Sequence, residues 1–191
     1  MSDDLNKLSV EELGKLFPII LSEYDPIWAE KFLSEKELIL TTANEKSIIS
    51  IHHIGSTSIP GLKAKPTIDI LLLLAKCVDL QKIIDKLNKI GYNSIPQPEN
   101  PPPYIMFAKG YAKSGYTGQT FHLHPRFNGD CNELIFRDYL INHPQTASEY
   151  ADLKTRLSFE NRNDREKYTL SKTSFIEDVI KKARKELKNK S

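Results

Sequence analysis

His52-His53-Ile54-Gly55-Ser56-Thr57-Ser58-Ile59-Pro60-Gly61-Leu62-Lys63-Ala64-Lys65-Pro66-Thr67-Ile68-Asp69-Ile70 is the stretch on which the fold turns. One apolar run, Ile48 to Ile54, feeds into it. A second, Ile68 to Leu74, leaves it. From Gly55 to Pro66 lie two glycines, three hydroxyl residues, two lysines and two prolines. That pattern predicts a loop between two buried strands, the first over 48–54 and the second over 67–74. Gly55 lacks a Cβ and allows close backbone approach to a ligand. Ser56, Thr57 and Ser58 offer hydroxyls and N–H groups suited to an anion. Lys65 is held near the strand mouth by Pro66, whose ring fixes the local backbone. After Asp69 the second strand has almost no polar alternation, which places it inside its sheet with both faces covered.

Working outward, Ser9-Val10-Glu11-Glu12 has the form of a capping box. The helix it starts carries Val10, Leu13, Leu16, Phe17 and Ile20 as one apolar face. Asp25-Pro26 is a second start signal, followed by Trp28 and Phe32. Both helices are expected to pack on the sheet. A helix from Asp79 to Ile90 ends at Gly91, and Tyr92 to Ile95 begins an outer strand. Pro96 to Pro103 holds five prolines and reads as a rigid extended loop. Tyr104–Lys109 and Thr120–His124 read as a strand pair. The glycine-punctuated residues 110–118 between them are a mobile lid or a plain hairpin loop. From Asn132 the chain is helical, in three stripes. The second carries Ala147, Tyr150, Ala151, Lys154 and Leu157, and the third runs on from Asp164. The fold class is α+β: a small mixed β-sheet (46–127), N-terminal helices (1–45) and a C-terminal helical segment (130–191), in a single domain 1–191.

A net charge of +2 over 191 residues does not call for nucleic acid, and the basic C-terminal tail suits a helix end. The two cysteines, Cys77 and Cys131, lack metal-type spacing and are expected as reduced thiols of a cytoplasmic protein. Met1-Ser2-Asp3-Asp4 has no leader character. The longest apolar run is far too short to span a membrane. The sequence sets no oligomeric state.

The central stretch resembles the signature of the GrpB-like family, whose fold is similar to that of the nucleotidyltransferases. Weaker matches follow in order: Glu11-Glu12-Leu13 with Phe17-Pro18-Ile19, Phe121-His122-Leu123-His124, Phe136-Arg137-Asp138-Tyr139-Leu140, and Tyr168 with Lys172, Phe175 and Ile176. In the nucleotidyltransferase superfamily a Gly-Ser pair after the first strand holds nucleotide phosphate, and an Asp-x-Asp pair on the next strand binds magnesium. Gly55-Ser56 matches the first feature and Asp69 the second carboxylate. Thr67 stands where the first carboxylate would be. The resemblance thus implies phosphate binding by Gly55 and Ser56; Thr57 and Lys65, crowding the same loop, and Arg137, whose guanidinium can bind a phosphate or carboxylate bidentately, are added from their own side chains. The resemblance also implies a divalent cation on Asp69, and Asp69 with His124 as the catalytic pair.

The residues themselves add to this. His122 and His124 are two apart in a strand and share a face. If that strand neighbours Asp69, the three make a ligand set that favours manganese or zinc over magnesium. The alternative is two histidines hydrogen-bonded in a polar cleft. Asp69 is otherwise a salt-bridge partner of Lys65 or Arg137, because a carboxylate in an apolar run needs a partner. Arg137 is otherwise paired with Asp69, Glu133 or Asp138. His53 flanks the phosphate loop. Lys154, Tyr168 and Lys172 occupy inward helix positions and are assigned to the ligand cleft. Two functions follow. One is a nucleotidyltransferase-like protein that binds nucleotide or another phosphorylated small molecule and transfers a nucleotidyl group with a metal. The other is a non-catalytic accessory or ligand-binding module, which Thr67 favours.

Overall fold

The computed structural model describes residues 5–43, 45–99, 101–129 and 131–190. Met1 to Asp4, on which the lack of leader character was read, lie outside these. The elements run α1 (Val10–Leu16), α2 (Ile27–Ala43), β1 (Ile48–Ile54), β2 (Thr67–Leu74), α3 (Leu80–Lys89), β3 (Asn93–Pro96), β4 (Ile105–Ala112), β5 (Gly115–Phe127), α4 (Asn132–Asn142), α5 (Pro144–Glu160), α6 (Arg165–Leu170) and α7 (Thr173–Lys190). The fold is α+β with one mixed five-stranded sheet, order β1-β2-β5-β4-β3. β2 and β5 are parallel, and the other neighbours are antiparallel. β2 is an interior strand, as its apolar run requires.

The two faces of β2 have different coverings. Ile68, Ile70, Leu72 and Leu74 enter the main core, with Trp28, Phe32, Ile39 and Ala43 of α2 and Ile83 and Leu87 of α3. The opposite face carries Thr67, Asp69, Leu71 and Leu73, by the two-residue period of a strand. There Leu71 and Leu73 pack with Ile54 and Cys131. A separate core joins Ile59 and Leu62 of the loop after β1 to Phe136, Leu140, Tyr150 and Val179 of the C-terminal helices. The loop itself is pinned by the two backbone bonds between Ser22 and Ala64.

Several expectations are corrected. α1 has its capping box, with Ser9 Oγ accepting from the Glu12 N–H and the Glu12 carboxylate accepting from the Ser9 N–H. It ends at Leu16, however, because Pro18 cannot continue a helix, so the apolar face does not reach Ile20. Val10 and Ile20 are exposed. α1 packs against the turn after α5: a Cβ on Gly14 would stand 1.8 Å from the Asn163 carbonyl oxygen. The proline-rich segment is not an extended rod. It turns back so that β3 and β4 pair, and the Gln97 N–H donates to the Tyr104 carbonyl. Residues 110–118 are a hairpin connection rather than a lid, but mostly ladder with a short turn: Tyr111 pairs with Tyr116 and Ala112 with Gly115. The third C-terminal stripe is two helices, α6 and α7, interrupted at Ser171 and Lys172. Cys77 is exposed, Cys131 is buried, and they are not bonded. Among the described residues no helix is long and apolar enough to cross a membrane.

Candidate functional site

The parallel pairing of β2 and β5 sets Thr67 beside Thr120, Asp69 beside His122 and Leu71 beside His124. Side chains two apart share a face, so Asp69, His122 and His124 come together. Asp69 Oδ1 is 3.4 Å from His122 Nδ1 and 3.4 Å from His124 Nε2. One donor atom from each of the three lies within 4.8 Å of the others. Two donors on one tetrahedral zinc, each about 2.1 Å from it, stand about 3.4 Å apart, so the spacing fits a shared cation. Burial acts to raise the Asp69 pKa, but the bonds and charges of His122 and His124 reverse this and hold it below the usual range.

His122 Nε2 and Tyr111 Oη are 2.8 Å apart and share a hydrogen bond. If His122 offers its Nδ1 lone pair to a cation, Nε2 carries the proton and donates to Tyr111. Such an outer partner orients a ligating imidazole. Thr67 lies behind this pair: its hydroxyl is 2.9 Å from that of Thr120, and the side chain is only 8% exposed.

Gly55 has φ 70° and ψ −172°. A Cβ there would lie 2.4 Å from Asp69 Oδ2. The close approach that glycine permits is therefore to the Asp69 carboxylate. The turn after it consumes several anion-binding groups. The Ser58 N–H donates to the Gly55 carbonyl and the Ile59 N–H to the Ser56 carbonyl. Ser58 Oγ also donates to Gly55. Thr57 is buried, its hydroxyl bonded to the Thr67 carbonyl and to His53. Ser56 differs, since its side chain lies close enough to Tyr150 of α5 to favour the ionised phenol.

Lys65 and Lys172 place their ammonium groups 5.4 Å and 4.3 Å from the centre of the Tyr168 ring. Lys154 is 2% exposed, donates to the Lys63 carbonyl, and lies 4.9 Å from the Tyr150 ring. Burial first, then the charges of Arg165 and Lys172, pull Lys65 down to about 7. Burial, with Lys172 and Lys65, pulls Lys154 down to about 7. Lys172 falls to about 8, chiefly by burial. Burial pushes Tyr168 up to about 12.

The residue model of the GrpB protein family matches residues 18–182. The chain belongs to the GrpB family. A family relative of Pseudomonas aeruginosa, named as a UPF0157 protein, is 40% identical over 162 residues, covering 83% of this chain and 65% of that one. The UPF0157 protein YqkA of Bacillus subtilis is 33% identical over 181 residues, covering 93% and 51%. The chain thus spans between half and two thirds of the length of these relatives. The crystal structure of conserved protein GrpB from Enterococcus faecalis superposes with a TM-score of 0.76 at 28% identity, over 88% of this chain and 99% of that one.

Of the family positions singled out from the sequence, Asp69, His122 and His124 converge, and Gly55 meets them. Lys65, Lys154, Tyr168 and Lys172 form the cationic part. Two residues lie apart from these. His53 is on the α2 side of the sheet, stacked on Phe32 at 4.8 Å, and braces the loop through Thr57. Arg137 is engaged by the Asp138 carboxylate at 2.7 Å and donates to the His53 carbonyl. Glu133 pairs with Arg126 instead of Arg137. Tyr111, Tyr150 and Arg165 were not legible as site residues. Tyr111 sat in a glycine-rich stretch read as loop, Tyr150 in an apolar stripe, and Arg165 carried no signal.

Burial lowers the His53 pKa to about 4, Asp69 only partly opposing it. The unfolded state then binds more protons than the folded one below the ordinary value of about 6.5. His53 stability is present above that value and is lost as pH falls toward 4. Urea midpoints should drop across this window in wild type and drop less in His53→Gln. Equal slopes for the two proteins would assign the acid sensitivity elsewhere.

Proposed function

We propose that this GrpB-family chain binds a nucleotide or another phosphorylated small molecule together with a divalent cation. Asp69, His122 and His124 would hold the cation. The observation that carries this reading is the meeting of three donor atoms from two parallel-paired strands within 4.8 Å. One carboxylate and two imidazoles suit manganese or zinc better than magnesium, which prefers oxygen ligands. Such a cation, when bound, neutralises phosphate charge. The chain's own part is to orient His122 through Tyr111, to fix Asp69 against Gly55, and to present amines from Lys65 and Lys172.

A second reading, a ligand-binding module without turnover, is favoured by Thr67. Its hydroxyl is buried and bonded to Thr120, so the position supplies no second carboxylate. Under either reading, calorimetric titration with manganese should show binding to wild type. Asp69→Asn should weaken it by more than about tenfold, since loss of an outer partner alone costs 10–100-fold. Thr67→Asp should strengthen it at fixed nucleotide. If Asp69→Asn binds manganese like wild type, the cation reading is wrong. Turnover of a nucleoside triphosphate by wild type would exclude the module reading.

A further inference from the structure

We propose that Lys65, Lys154 and Lys172 form a polyphosphate-binding subsite between the sheet and α5–α7, joined through Tyr150 to the Gly55-Ser56 loop. This rests on the reading that the cleft takes a phosphorylated ligand, and adds where its phosphates sit and how many charges they carry.

Three observations support it. First, the amines come from three separate elements: the loop before β2, α5, and the break between α6 and α7. Among the described residues no carboxylate lies within salt-bridge distance of any of them. Lys154 is buried, and Lys65 and Lys172 are half-buried; charges withdrawn from water are normally paired or ligand-bound. Here the partners are the Tyr150 and Tyr168 rings and one backbone carbonyl. Second, Lys154 sits on the inward stripe of α5 between Tyr150 and Leu157, both buried. An apolar side chain there would complete the stripe without burying an amine. Third, the groups act on one another: Lys65 and Lys172 feel Arg165, and Lys154 feels Lys65 and Lys172.

The nearby negative charge is Asp69, which already faces two histidines. Three amines therefore call for a ligand with several charges. A di- or triphosphate supplies them, and a single phosphate or carboxylate does not. Ser56, beside Tyr150, makes the loop continuous with this subsite.

The test uses inorganic tripolyphosphate and inorganic phosphate, titrated calorimetrically without metal and with chelator present. Wild type is expected to bind tripolyphosphate at least about tenfold more tightly than phosphate, and Lys65→Met and Lys172→Met each to lose about tenfold, as for one lost charge-assisted hydrogen bond. The ligand-free thermal midpoints of both variants should equal or exceed that of wild type, because one of several like charges has gone from the cluster. Lys172→Gln, which keeps a polar end, should lose affinity as Lys172→Met does. No binding to wild type, or undiminished binding in the variants, overturns the proposal. Manganese titrations separate it from the cation reading. Manganese binding with no tripolyphosphate binding would refute the subsite alone. The reverse would refute the cation site alone.

Discussion

Gly55→Ala is expected to lower manganese affinity by more than about tenfold, by displacing a ligating carboxylate, and to lower stability by about 2–3 kcal/mol from backbone strain and overpacking. The backbone at φ 70°, ψ −172° lies in a region that belongs almost wholly to glycine. The new Cβ would stand 2.4 Å from Asp69 Oδ2 and 3.0 Å from its Cβ and Cγ. Either the loop shifts or Asp69 does, and Oδ1 then loses its place beside both histidines. Gly61→Ala is the control. Gly61 has φ +76°, but an added Cβ meets nothing within 4 Å. It should cost about 1 kcal/mol of strain and leave manganese binding unchanged. Urea denaturation and calorimetry on both variants decide the matter. Normal manganese affinity in Gly55→Ala would mean that Asp69 is not a cation ligand in this orientation.

Lys109→Met is expected to destabilise the fold by about 3 kcal/mol, the lower end for breaking a buried ion pair. Glu35 sits in the apolar stripe of α2 with Trp28, Phe32, Ile39 and Ala43, and is only 6% exposed. Lys109 of β4 donates to both of its carboxylate oxygens, at 2.8 and 3.0 Å. Its ammonium also lies 5.4 Å from the Tyr92 ring and 5.5 Å from Phe121. Removing the lysine strands the carboxylate between helix and sheet. The Lys109 side chain is 23% exposed, so water relieves part of that cost. The double variant Glu35→Leu/Lys109→Met should recover most of the loss, because two apolar side chains can replace an ion pair. A loss below about 1 kcal/mol in the single variant would put the pair in the class of surface bridges.

The strands that build the site were legible because their signals are local. Ile48–Ile54 and Thr67–Leu74 are apolar runs bounded by turn residues, and both appear with those limits. Ser9 with Glu12 is a capping box that needs only neighbours within one turn. The ladder within 110–118 was not legible because its glycines are turn-formers by type. Here Gly110 instead sits against the β5 backbone, where a Cβ would meet the Gln119 carbonyl oxygen at 2.5 Å.

By itself the sequence determined that Asp69 would occupy an interior strand, and that His122 and His124 would share one side of another. Strand periodicity and hydrophobic content suffice for both. Tertiary structure alone decided that β2 and β5 are neighbours, and in the register that sets Asp69 against His122. No local rule selects a strand partner some fifty residues away, because pairing is chosen by packing of the whole sheet. The same holds for the amines. In sequence Lys65 stands out as a residue of the central loop, and Lys154 and Lys172 as polar groups at inward helix positions, but nothing local groups the three. They become a cluster only because the C-terminal helices fold back over the face that Thr67 and Asp69 leave polar.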